Sequence, residues 1–277
     1  MKVWISCDME GVAGVSDWSQ CLPSGAGYAL GCELMLAEVN AAIDGALAGG
    51  ADSIVVNDSH GGMINLDPSA LHGRAAYLAG RHKPLYMMQG LDATADAIFL
   101  IGYHGSISGA PSAMSHTYNP EVFSGARVNG TWVGESGINA LVARHFGVPI
   151  AVVSGDQVTR EEALPFAPDA EYAVVKESVT RFSALNRHPE EARDLIREAA
   201  DRAVRRVASG EIGVPQITAP VRLELDHQTA DMADVATWVG GVERVSERTV
   251  AIEGDDLLEV FRRFVAVNYI TRQAGGR

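Results

Sequence analysis

Two carboxylates, Asp8 and Glu10, stand one residue apart where an apolar run ends, in KVWISCDMEG. In an extended chain, residues two apart point to the same side, so both acids can converge although they repel. The arrangement recurs downstream. VVNDSHGG sets Asp58 and His60 two apart after a second apolar run, and FLIGYHGS delivers His104 after a third. A buried cluster of this kind must be compensated, and a divalent metal does so. Carboxylate and imidazole donors together suit zinc, with manganese, cobalt or iron fitting less well. Two carboxylates and two histidines exceed what one open catalytic zinc takes from the protein. A two-metal site with a bridging carboxylate accommodates them better and calls for a further acid. One strand-end Asp or His is ordinarily a turn residue or helix cap; three successive strand ends carrying them point to ligation. For Asp58 both readings stay open, a partner that holds the His60 tautomer or a turn cap.

The elements that must position these residues follow from periodicity. Short apolar runs bounded by Gly, Pro or Asp predict buried strands at 2–6, 53–57, 97–103 and 149–155. Leu30, Leu34, Val39, Ala42 and Ala46 recur at helical intervals and predict a helix over 28–50, stopped by Gly49-Gly50. A second helix is predicted over 137–147. Such alternation implies an α/β fold with a mostly parallel sheet flanked by helices. Parallel strands present their carboxyl ends on one edge, where these folds bind ligands, so Asp8, Glu10, His60 and His104 are expected in one cleft. From about residue 177 the texture changes to a charged amphipathic helix (189–210), strands at 219–227 and 248–254, and a closing helix (255–273). We therefore expect a metal-binding α/β section over 1–176 and an α+β section over 177–277.

Composition narrows the function. The 277-residue chain is 47% hydrophobic, ample for a sizeable core, and no run approaches the apolar length that spans a membrane. Its N-terminus reaches acids too early for a signal-peptide apolar region, so a cytoplasmic location is expected. A net charge of −13 argues against nucleic acid. Cys7, Cys21 and Cys32 show no CxxC spacing, which supports neither a disulfide framework nor a thiolate zinc site. There is no P-loop, HExxH or GxSxG, and GAGYALG (25–31) lacks dinucleotide-loop spacing. Cys7 reads as a core thiol, and His72, His82, His145, His188 and His227 as surface or packing residues.

DMEG, VNDSH, GYH, MSH and VGESGINA occur in the order and spacing of a known family. On them the chain resembles the zinc D-aminopeptidases of dipeptide-permease operons (DppA-like). The resemblance implies metal ligation by Asp8, Glu10, His60, His104 and Glu135, with Glu135 the further acid, and a catalytic His116 in a Gly- and Ser-rich segment. It implies two Zn2+ per subunit, short peptides with an N-terminal D-residue as substrates, and a ten-membered ring of subunits. One metal would take Glu10 and His60, the other His104 and Glu135, with Asp8 bridging. A different metal-dependent amidase or hydrolase, or a non-catalytic peptide- or metal-binding protein serving transport, are the alternatives.

Overall fold

The computed structural model describes residues 1–275. The first part of the chain forms β1 (Lys2–Cys7), the single turn α1 (Trp18–Cys21), α2 (Tyr28–Gly49), β2 (Ser53–Asp58), β3 (Ala76–Leu78) and β4 (Ala97–Tyr103). Next come β5 (Phe123–Val128), β6 (Thr131–Trp132), α3 (Glu135–Phe146), β7 (Ile150–Asp156) and α4 (Gln157–Ala163). Then follow β8 (Glu171–Thr180), β9 (Ser183–Asn186) and α5 (Pro189–Ala208). The chain closes with β10 (Val221–His227), α6 (Ala230–Ala236), β11 (Val242–Arg244), β12 (Thr249–Gly254) and α7 (Leu257–Thr271). Among the described residues no helix is long and apolar enough to cross a membrane.

The first sheet runs β3-β2-β1-β4-β7-β8-β9, parallel throughout except for the antiparallel β8–β9 pair. The expected α/β fold is therefore present. From β1 the chain goes first to β2 on one side and then to β4 on the other. That makes the β1–β4 junction a topological switch point, where the loops diverge and leave a crevice at the strand ends. The second sheet, β11-β12-β10-β5-β6, is antiparallel.

Both faces of the first sheet are covered, which is why its strands read as continuous apolar runs. Val3, Ile5, Phe99 and Ile101 pack on one side with Val39 and Ile43 of α2 and Ile196 and Ala200 of α5. Trp4, Ile98 and Leu100 pack on the other with Ile138 and Leu141 of α3, Phe261 and Phe264 of α7, and Leu223 and Ile252 of the second sheet. The texture change near residue 177 falls inside β8, and β5 joins the second sheet from residue 123 onward.

Helix α2 departs from its expected stripe at one end. Leu30 is 52% exposed, and the buried face runs through Met35, Val39, Ala42, Ile43 and Ala46. The predicted stop holds: Gly50, at φ 109°, caps the helix in the left-handed region. Helix α5 begins with Pro189 and carries Glu190 and Glu191 in its first turn and Arg205 and Arg206 in its last, matching the helix dipole. The two helices approach closely at Gly45, where an added Cβ would lie 2.1 Å from the Arg197 carbonyl of α5.

Candidate metal centre

The backbone leaving β1 stays tied to β4. The Asp8 N–H donates to the Ile101 carbonyl and the Gly11 N–H to the Gly102 carbonyl, each at 2.8 Å. Gly11 is required here, because a Cβ would come within 1.7 Å of the Tyr103 carbonyl oxygen. His60 follows β2, His104 follows β4, and Glu135 opens α3, where the helix dipole favours a carboxylate. Asp8, Glu10, His60, His104, His116 and Glu135 are all buried.

Each histidine spends one ring nitrogen on a backbone carbonyl. His60 Nε2 lies 2.8 Å from the Cys21 carbonyl, His104 Nδ1 2.9 Å from that of Gly105, and His116 Nδ1 2.9 Å from that of Met114. A carbonyl only accepts, so those nitrogens carry the protons, and in the neutral ring the other nitrogen carries the lone pair. These other nitrogens face carboxylates. His60 Nδ1 is 3.0 Å from Asp8 Oδ1 and 2.9 Å from Glu10 Oε2. His104 Nε2 is 3.4 Å from Asp8 Oδ2 and 3.5 Å from Glu135 Oε1, and His116 Nε2 is 3.6 Å from the same Glu135 oxygen. Asp8 thus offers one oxygen to each half of the cluster.

The electrostatics record the crowding. Burial alone would lower the His60 and His104 pKa values. The carboxylates of Glu10 and Asp8 around the first ring, and of Glu135 and Asp8 around the second, lift both well above the ordinary value. Burial alone would raise the Asp8 carboxyl, yet the His104 and His60 rings beside it hold it well below the usual carboxylate range. Burial, aided by the charge of His104, pushes His116 down, which keeps that ring neutral. Glu10 Oε2, His104 Nε2 and Glu135 Oε2 are buried without a hydrogen-bond partner. Unsatisfied acceptors and lone pairs aimed at one another fit a zinc-type divalent cation.

Among the described residues three donor groups are close enough to hold an ion, their atoms within 4.8 Å of one another: Glu10, Cys21 and His60; Asp8, Glu10 and His104; and His104, His116 and Glu135. Asp58 does not touch His60. It caps the 58–66 turn, accepting from the Asn65 and Leu66 N–H groups and from the Tyr77 hydroxyl. His72 pairs with Asp44 at the surface and His227 packs on Phe123, as residues outside the cluster were expected to do. The segment bearing His116 is pinned rather than loose. Ser112 donates to Asp156, the Ala113 N–H to Ser178, and the Tyr118 N–H to Glu135. The His104 and His116 rings stack at 4.2 Å, with Trp18 at 5.5 Å from His116. Cys21 and Trp18 were missed from sequence, since neither lies at a strand end nor shows ligand spacing.

A D-aminopeptidase of Bacillus subtilis (strain 168) is 32% identical over 273 residues, 96% of each chain. The solved structure of the Zn-dependent D-aminopeptidase DppA from Bacillus subtilis, described as a self-compartmentalizing protease, superposes with a TM-score of 0.93 at 29% identity. That match covers 99% of this chain and 98% of that one. The family profile for D-aminopeptidases (peptidase M55) matches residues 1–266, so the chain belongs to the D-aminopeptidase family.

Proposed function

We propose that this protein is a dinuclear zinc aminopeptidase that releases the N-terminal D-residue of short peptides. The observation that carries the reading is the convergence of imidazole lone pairs and unpartnered carboxylate oxygens in one buried cluster. Glu10 and His60 would hold one zinc, His104 and Glu135 the other, and Asp8 would bridge. When bound, zinc supplies a Lewis acid that polarises the scissile carbonyl and acidifies water. Of the chain's own groups, the helix dipole of α3 steadies the Glu135 charge. The carbonyls of Cys21 and Gly105 orient the His60 and His104 rings. His116 is the proton carrier. Its Nε2 accepts a proton as water attacks and returns it to the leaving amine, while the bond to the Met114 carbonyl keeps the ring aimed.

Metal analysis and a peptide panel test this reading together. Active protein is expected to contain two zinc ions per chain and to cleave D-alanyl peptides faster than L-alanyl ones. Clearly fewer than two ions removes the dinuclear part, and preference for L-peptides removes the stereochemical part.

Kinship to the self-compartmentalizing relative supports assembly of several copies of this chain. Large apolar side chains stand exposed at Val179, Phe182 and Leu185 around the β8–β9 hairpin, and at Trp238, which suits contact between copies. A closed ring of ten subunits is expected from light-scattering mass in solution; a monomer would end that proposal.

A further inference from the structure

Between β1 and Trp18 the chain forms neither strand nor helix, yet most of it is buried. Such a stretch must find partners for its backbone groups. Several amides are met from neighbouring elements: the Ala13 N–H by Glu38 of α2 at 2.8 Å, and the Gly14 N–H by Asn186 of β9 at 2.9 Å. Three of its carbonyls converge on one side chain. Lys176 of β8, 1% exposed, donates to the carbonyl of Glu10 at 2.5 Å, of Val12 at 3.0 Å and of Val15 at 2.6 Å. An ammonium has three donors, and here all three are spent. Lys176 is therefore occupied by backbone and not free to anchor substrate or carry a proton.

We propose that Lys176 is a positioning residue for the metal centre, tying the loop over residues 10–15 to β8 so that the Glu10 carboxylate stays aimed at His60. The inference rests on the reading of Glu10 as a zinc ligand. Glu10 Oε2 and Asp8 Oδ1 crowd the same His60 nitrogen at 2.9 and 3.0 Å, so repulsion would turn Glu10 away wherever its backbone could follow. The bond from its own carbonyl to Lys176, with those at Val12 and Val15, resists that rotation from the β8 side, as the Gly11 N–H bond to Gly102 does from β4. An arginine cannot substitute, since no single nitrogen of its planar fork carries three donors.

The test measures zinc affinity by competition with a chromophoric chelator, and the ligand-field spectrum of the cobalt-substituted protein. Folded Lys176→Met is expected to bind zinc about 10–100-fold more weakly and to show an altered cobalt spectrum. Lys176→Arg should behave like it. Phe261→Leu in α7, a destabilising change away from the loop, should leave both readouts at wild-type values. If Lys176→Met does not fold, Lys176→Gln, which keeps two donors, is read by the same measurements. Wild-type zinc affinity and cobalt spectrum in the folded variant overturn the positioning role, whatever the change in melting temperature. Glu10→Gln separates the two readings. Undiminished zinc binding there sinks Glu10 as a ligand, and this proposal with it, whereas a loss there without one in Lys176→Met sinks the proposal alone.

Discussion

At the scale of single residues, the hydrogen bond on one ring nitrogen decides what the other can do. His60, His104 and His116 each face a carbonyl on one side and carboxylates on the other, the arrangement a neutral metal ligand or proton acceptor needs. His116 differs in being pushed below its ordinary pKa, by burial and then by His104. His116→Ala should therefore lower kcat by about 10²–10⁴-fold while zinc content stays at the wild-type level. Unchanged turnover would remove its catalytic role, and lost zinc would make it a ligand instead. Asp8, Glu10, His60 and His104 were legible in the sequence because each terminates an apolar run. Glu135 and His116 were not, since an acid heading a helix and a histidine in a Ser-rich loop have ordinary explanations; only the motif order of the family marked them. Lys176 was open to notice as a lysine inside YAVVKESV, but its three acceptors lie over 160 residues away.

At the scale of elements, packing overrules local preference. Alanine is the better helix former by about 1 kcal/mol, so propensity alone would have Gly45→Ala stabilise α2. With the new Cβ only 2.1 Å from the Arg197 carbonyl, α2 and α5 must separate instead. A net loss of about 1–3 kcal/mol is expected, read as a lower urea midpoint at unchanged slope. Strands β1, β2, β4 and β7 of the first sheet and the four long helices were legible because each has its own apolar period. Strands β5 and β6 were not. The ladder partner that brings β5 into the sheet, β10, is about a hundred residues away, β6 is a two-residue strand added at the edge of β5, and local alternation does not name a partner.

At the scale of the whole molecule, the second sheet shares its core with the first, and its buried groups make stability depend on pH. His227 of β10 is fully buried, and burial pushes its pKa down from 6.5 to about 4. The unfolded ring takes up a proton near 6.5 while the folded ring resists until about 4. Its contribution is thus intact above pH 6.5 and is lost as pH falls toward 4, on the order of 3 kcal/mol in all. Urea unfolding of wild type and His227→Phe across that window should show the variant losing less stability on acidification. Parallel slopes would rule the residue out as the source.

The sequence by itself determined the α/β alternation and the acids and histidines at successive strand ends, and hence the expectation of a metal-binding edge. These are written in local period and in the cost of ending a buried strand on a charge. Tertiary structure alone decided which nitrogen each histidine turns inward, that Asp58 caps a turn, and that Lys176 ties down the loop carrying Glu10. It also decided that residues 123–132 pair with the second sheet. The reason is common to all four: each depends on hydrogen bonds between groups brought together in space, and spacing along a chain does not specify direction in three dimensions.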